Sequence, residues 1–157
     1  MTQYILRQGT WVAVCDGRKA LLLENKGSRE FPQLVLREAF EQKNQPTHLQ
    51  GSSPPGRTVN STGNSRSAVE APNIHDQAER AFLRDFANSL DRYTQEYDVK
   101  SLILVAPARA LGMIRPALSA ATKHVIVAEL DKDYVKVPVY EIEKLVQHYS
   151  DTLNHTA

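Results

Sequence analysis

Apolar residues form short blocks or alternate with polar ones through the first forty residues of the chain. Two blocks, Thr10 to Cys15 and Ala20 to Leu23, are separated by an Asp-Gly pair. That pair favours the positive φ angles of a type I′ turn, so we predict a β-hairpin here. A third strand, Gln33 to Phe40, alternates imperfectly because Glu38 falls on its apolar face, which predicts a partly solvated strand at an edge.

A long amphipathic helix is predicted from Asp76 onward. Asp76 and Glu79 match an acidic capping box. In this motif the Asp oxygen accepts an N–H of the first turn, and the Glu side chain reaches back to the N–H of the capping residue. The apolar residues that follow recur every three or four positions, as on one helical stripe: Ala78, Phe82, Phe86, Leu90, Tyr93 and Tyr97.

The second half of the chain alternates between buried strands and helices. Ser101 to Ala106 and His124 to Leu130 are continuous apolar runs, as expected of strands covered on both faces. Pro107 is expected to open a helix at its first turn. Pro116 interrupts that helix, and we predict a kink or a restart there. Pro138 is expected to open the last helix.

The predicted order of elements is β-β-β, loop, α-β-α-β-α. This order predicts one α/β domain over residues 1–157, with a mixed five-stranded sheet made of a three-strand meander and two βα units. About three helices accompany the sheet. The layout is of the ribonuclease H-like kind.

Residues 43–73 depart in composition from the rest of the chain. The stretch is dense in Ser, Gly, Pro, Asn and Thr, and it carries Lys43, Arg57 and Arg66 against one acid, Glu70. We predict a long flexible loop here, because loops of this length inside a domain are usually functional or disordered. The following helix is acidic, so the near-neutral chain has a basic segment beside an acidic one.

Composition narrows the classes of function. The 157 residues include 19 basic and 18 acidic side chains and one cysteine. The near-zero net charge argues against coating nucleic acid by charge alone, and one cysteine excludes an internal disulfide. The first residues lack the basic and apolar regions of a secretory signal, and no apolar run is long enough to span a membrane. We therefore expect a cytoplasmic protein with no membrane partner and no cofactor.

Four blocks of the sequence resemble a bacterial family described as "protein required for attachment to host cells". They are VAVCDGRKALLL, HDQAERAFLRDFANSLDRY, LILVAPARALGMIRPAL and VAELDKDYVKV, so the resemblance spans roughly residues 10–149. That family is similar in fold to the middle domain of archaeal and eukaryotic class I peptide-chain release factors. In those factors a Gly-Gly-Gln loop, which carries peptidyl-tRNA hydrolysis, lies between a strand and a long helix.

The segment at the corresponding place here contains Gly63, Asn64 and Ser65 in place of Gly-Gly-Gln. The resemblance therefore implies at most a loop that faces the ribosome or RNA, and it does not carry over the hydrolytic activity. It implies a non-enzymatic factor that acts through the ribosome, an RNA or another protein and affects attachment indirectly.

Arginines supply the candidate binding residues. Arg57, Arg66, Arg109 and Arg115 would converge if the loop folded over the sheet end that carries Pro107, because ligands on open α/β sheets gather at the carboxyl ends of strands. Arginine suits phosphate recognition. These four residues are the predicted contacts to RNA or to a partner.

The alternative is a metal-dependent nuclease or hydrolase. Such an enzyme needs several carboxylates that converge at strand ends and hold hard cations through oxygen. Asp16, Glu129, Asp131 and Asp133 are the set with suitable placement. Asp16 is equally explained by its place in a tight turn, where Asp is favoured.

Overall fold

The computed structural model describes residues 6–43 and 61–156, and the side chains of residues 6–43 and 74–150. Its centre is a five-stranded sheet in the order β3-β2-β1-β4-β5. The strands are β1 (Trp11–Cys15), β2 (Lys19–Asn25), β3 (Leu34–Glu41), β4 (Leu102–Ala106) and β5 (Ile126–Asp131). β1 pairs with β4 and β4 with β5 in parallel, whereas β2 pairs antiparallel with β1 and β3. The predicted mixed sheet and meander are confirmed.

Four α-helices accompany the sheet in the described part of the chain, where we predicted about three. They are α1 (Ser61–Glu96), α2 (Ala108–Ile114), α3 (Ala120–Val125) and α4 (Val139–Thr156). The extra helix arises at Pro116, which lies in a 3-10 turn over Arg115–Ala117. Proline cannot donate the ladder hydrogen bond, so the predicted restart is confirmed. None of the described helices is long and apolar enough to cross a membrane.

The prediction that the last strand begins at His124 is wrong, because that residue lies in α3. The Ser119 hydroxyl caps α3 by accepting the N–H of Thr122. An N-cap satisfies a donor that the first turn cannot pair, so it favours a helix over the strand that the apolar run suggested. β5 begins two residues later, at Ile126.

Helices cover both faces of the sheet. One face packs against α1 and α2 through a cluster that includes Ala13, Leu104, Phe86, Leu90 and Ile114. The other face packs against α4 through a cluster that includes Val14, Ile103, Leu130, Ile142 and Val146. The two clusters follow the alternation of β1 and β4, because successive strand residues point to opposite faces.

The imperfect alternation of β3 is explained by a β-bulge. The register between β2 and β3 shifts by one residue, so no residue of β2 lies opposite Arg37 in the pairing of the two strands. Arg37 lies over the Trp11 ring at 5.3 Å, and the adjacent Glu38 accepts a hydrogen bond of 2.5 Å from the Tyr93 hydroxyl. A bulge turns two successive side chains towards one face, so Glu38 points at α1. The edge position predicted for β3 is confirmed.

The prediction of a loop over residues 43–73 is wrong from Ser61 onward, because α1 already begins there. The capping role predicted for Asp76 is also wrong, since that residue lies well inside the helix. Residues 61–73 are rich in poor helix formers and show no apolar stripe. Elongation of an existing helix needs no new nucleus, so these residues can be helical without a stripe of their own, although Pro72 in this stretch donates no ladder hydrogen bond.

Candidate functional site

The turn between β1 and β2 is organised by the Asp16 side chain. Its Oδ1 accepts the backbone N–H groups of Arg18 and Lys19, each at 2.8 Å. The N–H of Asp16 donates to the carbonyl of Lys19 at 2.9 Å. Gly17 does not adopt the positive φ of a type I′ turn, so the predicted hairpin is confirmed and its predicted turn type is wrong. An Asx interaction makes the reversal instead.

Arg109 joins the first turn of α2 to α1. Its Nη2 donates to Asp76 Oδ1 at 2.6 Å, and its Nε donates to Glu79 Oε1 at 3.1 Å. The hydrogen bond to Glu79 raises the pKa of Arg109. The hydrogen bond from Arg80, together with the charge of Arg109, holds the pKa of Asp76 below its usual value. Arg109 is therefore held in one orientation.

The turn and α1 approach each other closely at Gly17. A Cβ atom at this position would lie 2.7 Å from both Cγ and Cδ of Glu79. Side-chain atoms do not tolerate such a distance, so a larger residue would displace Glu79 and disturb its contact with Arg109. The absence of a side chain at Gly17 therefore matters for this close approach to Glu79 rather than for a special φ angle.

These groups surround a cavity of about 350 Å³ at the ends of β1 and β4, which we call the carboxyl-end cleft. Its lining residues are Asp16, Gly17, Arg18, Glu79, Pro107, Arg109, Ala110, Met113 and Lys136. Open α/β sheets bind ligands at this edge, outside the carboxyl ends of parallel strands. Arg18 and Lys136 are exposed and form no ion pair with any residue in the described ranges. The lining therefore has three basic and two acidic side chains.

Arg115 lies in a different cavity. Its Nη2 and Nε donate to Glu129 Oε1 at 2.5 and 2.9 Å, and this hydrogen bond raises the pKa of Arg115. The cavity, which we call the β5 groove, has a volume of about 580 Å³ and runs beside the edge strand. Its lining residues are Arg115, Leu118, Lys123, Ile126, Val127, Ala128 and Glu129.

The structure does not bring the four predicted arginines together. Arg109 and Arg115 line separate cavities, and each is paired with carboxylates of the chain itself. Arg57 lies outside the described residues, and Arg66 lies in the part of α1 whose side chains are not described. Convergence of Arg57 and Arg66 on the cleft stays a prediction.

The segment predicted as a loop at the Gly-Gly-Gln position is helical. Gly63, Asn64 and Ser65 lie in the first turns of α1. The reason is the one given above for the start of α1: the helix extends towards the N-terminus without an apolar stripe. The expectation of a loop at these three residues is wrong.

The carboxylates of the metal hypothesis do not form a site. Asp16 is engaged by its own turn, and Glu129 is bound by Arg115. Asp131 is the last residue of β5, and Asp133 lies two residues after the end of that strand. Within the described residues, no group of three or more His, Cys, Asp or Glu side chains is placed to hold a metal ion. Cys15 is fully buried, and burial raises its pKa to about 12, so its thiol stays protonated.

Sequence reasoning missed Arg18, Glu79 and Lys136 as residues of the cleft. A signal for two of them was present in the order of elements. Arg18 follows β1 by three residues, and Lys136 follows β5 by five. Residues placed just after parallel strands meet at one edge of the sheet, so both were candidates for that edge.

Three comparisons place the chain among known proteins. The model of the family "Protein required for attachment to host cells" matches residues 11–146. The archaeal translation termination factor aRF1 has a similar structure, with a TM-score of 0.50 and 14% identity over 96% of this chain. This chain spans 40% of that factor's length. The likeness confirms the predicted similarity of fold.

A weaker match is the Ppx/GppA phosphatase of Aquifex aeolicus. Its TM-score is 0.37 at 13% identity, covering 77% of this chain and 34% of that one. No curated protein matches the sequence. The family model spans most of the chain, including β1, β4 and β5 and the loops that form the cleft. The chain belongs to the family of proteins required for attachment to host cells.

Proposed function

We propose that the protein is a non-catalytic factor that binds RNA in association with the ribosome and affects attachment indirectly from inside the cell. The observation that carries this proposal is how the charged groups at the carboxyl edge of the sheet are used. Asp16, Arg109 and Glu79 are engaged by the chain itself, whereas Arg18 and Lys136 remain exposed. Such an arrangement is better suited to binding an anion than to catalysing a reaction.

Catalysis by the groups at this edge would meet physical obstacles. A metal site needs several carboxylates that converge, and within the described residues no group of three or more His, Cys, Asp or Glu side chains is placed to hold a metal ion; Oδ1 of Asp16 accepts two backbone N–H groups and orders the turn. A cysteine nucleophile needs a thiolate, and the Cys15 thiol has a pKa of about 12 in a fully buried position. These contacts support a binding role.

The RNA part of the proposal draws on fold. A translation termination factor has a similar fold over 96% of this chain. The segment Gly63, Asn64 and Ser65 lacks the Gly-Gly-Gln tripeptide, so peptidyl-tRNA hydrolysis is not part of the proposal. Arg57 and Arg66, which stay predicted contacts, would add cationic side chains near the start of α1.

An affinity pull-down from growing cells, with and without nuclease treatment, tests this function. Ribosomal proteins and RNA should be recovered with the full chain from untreated extracts and should be lost after nuclease treatment. Recovery of a single protein that resists nuclease would contradict the RNA proposal and indicate a protein partner. If neither ribosomal components nor a nuclease-resistant protein is recovered, the RNA proposal and the alternative of a protein partner are both contradicted.

A double variant tests the two predicted arginines. Arg57→Gln with Arg66→Gln should reduce co-sedimentation with ribosomes and its salt dependence. The reason is that binding releases fewer counterions from the RNA when fewer phosphate contacts form. The matched control is Arg84→Gln with Lys144→Gln, which removes the same charge from exposed positions on α1 and α4. An equal loss in both variants would mean that only net charge matters.

A further inference from the structure

We propose that the carboxyl-end cleft binds a phosphate group, with Arg18 and Lys136 as its direct contacts and Arg109 as a positioning residue. The turn, the first turn of α2 and the segment after β5 each supply one of these cations. A site whose donors come from three separate elements exists only in the folded chain.

The charges of the cleft favour an anion. The acids in its lining are already engaged, since Asp16 accepts the N–H groups of Arg18 and Lys19, and Glu79 accepts from Arg109. Arg18 and Lys136 have no such partner in the described part of the chain. The lining has three basic and two acidic side chains, so one positive charge is in excess, and the resulting positive potential attracts anions into a concave surface.

The chemistry of the donors favours phosphate among anions. Arginine and lysine offer only hydrogen-bond donors, and a phosphate presents several acceptor oxygens in different directions. A carboxylate is satisfied by one bidentate arginine, so it would leave the remaining cation unused. A cavity of about 350 Å³ admits a phosphate group together with part of the molecule that carries it.

Arg109 shapes the site without being a free cation. Its two hydrogen bonds, to Asp76 and Glu79, hold the start of α2 against α1. Glu79 in turn lies against Gly17 in the turn that carries Arg18. The chain of contacts therefore fixes the distance between the turn and α2, and with it the width of the cleft.

The phosphate has two sources with the same chemistry. The phosphate belongs to an RNA backbone, or it is free phosphate or part of a nucleotide. In the first case this inference rests on the proposed function. In the second case the inference is independent of the proposed function. The direct test is an NMR titration of the full ¹⁵N-labelled chain with sodium phosphate.

Amide signals of Gly17, Arg18 and Lys136 should shift together and saturate. The variant Arg18→Gln with Lys136→Gln should weaken phosphate binding about tenfold or more, since it removes two charge-assisted contacts. Arg18→Lys with Lys136→Arg should restore most of the affinity, because charge and donors return. Both residues are exposed, and the dispersion of the spectrum verifies that each variant folds.

The control Arg84→Gln with Lys144→Gln should leave the affinity within twofold of the starting protein. The proposal is overturned if no saturable shift appears, or if the control loses as much affinity as the cleft variant. Shifts confined to residues outside the cleft would overturn it as well.

A second arm, binding of a short single-stranded RNA at several salt concentrations, identifies the source. If the phosphate is RNA backbone, the cleft variant should lower the slope of log K against log salt by about 0.7, the value for one phosphate contact. An unchanged slope with weakened phosphate binding identifies free phosphate or a nucleotide. RNA recovery without any phosphate titration would refute the cleft and leave the proposed function intact. Saturable phosphate binding without RNA recovery would support the cleft as a phosphate site and contradict the proposed function.

Discussion

The carboxyl-end cleft and the β5 groove are both built around an arginine from the segment that follows β4. In the cleft, Arg109 holds two carboxylates, and two further cations, Arg18 and Lys136, remain exposed. In the groove, Arg115 holds Glu129, and one further cation, Lys123, lies beside mostly apolar walls. The two sites differ in the number of cations that have no carboxylate partner among the described residues: two in the cleft and one in the groove.

The comparison shows that an arginine at a concave site does not define an anion site. A guanidinium already bound by carboxylates contributes mainly geometry, and a solvent-exposed pair of this kind contributes little to stability. The cations that remain unpaired decide what a site attracts. By that criterion the cleft is the stronger candidate for binding phosphate, and the groove is the natural control.

The end of β1, next to the cleft, should be rigid, and we call it the floor of the cleft. The fully buried Cys15 is the last residue of that strand and reports on it. In the native protein at pH 8, this thiol should react with a thiol reagent at least about 10³-fold more slowly than in urea, because reaction requires opening of the chain. The measurement is the rate of thiol modification. Fast reaction in the native protein would contradict a rigid floor.

The same thiol predicts a pH dependence of stability. Its folded pKa of about 12 lies above the ordinary thiol value of 9.0, so the unfolded state loses the proton first as pH rises. The contribution of Cys15 is therefore complete below pH 9 and is lost as pH rises from about 9 towards 12. Urea unfolding of Cys15→Ala should show a flatter pH profile than the starting protein in that window.

The wall of the groove depends on Asp91. One oxygen of this side chain accepts the Ser119 N–H, the Ser119 hydroxyl and the Thr122 hydroxyl, the last at 2.6 Å. Asp91→Ala removes the acceptor of the Ser119 N–H and of the Thr122 hydroxyl, and Thr122 is only 1% exposed. The Ser119 hydroxyl keeps Thr122 Oγ1 as a partner. The substitution should lower the free energy of unfolding by about 2 to 3 kcal/mol. Urea titration measures the change.

Asp85→Ala is the control for that variant, since it removes an exposed carboxylate from the same helix. Its effect should stay within about 0.5 kcal/mol. Phosphate shifts in the cleft should survive Asp91→Ala, because its contacts fix α3 rather than the β1–β2 turn. Loss of those shifts would show that the two regions are not separable.

The cleft depends on the absence of a side chain at Gly17. Gly17→Ala places a methyl group against Glu79, so that side chain must shift, and we expect its hydrogen bond with Arg109 to weaken. We expect a loss of roughly 1 kcal/mol in stability and weaker phosphate binding, measured by urea titration and NMR. Gly112→Ala, where a Cβ meets nothing within 4 Å, should instead stabilise helix α2 by about 0.5 to 1 kcal/mol.

The sequence predicts the sheet well because strand burial is a local pattern. The apolar runs of β1 and β4 and the imperfect alternation of β3 each indicated the right place in the sheet, and Pro116 indicated the break between helices. The start of α1 was not predictable in this way, since extension of a helix needs no apolar stripe. Composition alone therefore assigned residues 61–73 to a loop.

The cleft itself was only partly predictable. Arg109 was identified from its place after β4, but its partner Glu79 lies thirty residues earlier in the chain. Whether a cation is paired depends on such tertiary contacts, which a sequence pattern does not contain. For the same reason, the sequence does not distinguish Arg115 from Arg109, and it gives no sign that Arg18 remains unpaired.

The most direct test of this account compares two double variants of equal charge in one assay, the salt dependence of binding to a short single-stranded RNA. The cleft variant is Arg18→Gln with Lys136→Gln, and the groove variant is Arg115→Gln with Lys123→Gln. The account predicts that the cleft variant lowers the slope of log K against log salt by about 0.7 and that the groove variant lowers it by less than half as much. Equal reductions, or a larger one for the groove variant, would contradict the claim that RNA binds at the carboxyl-end cleft.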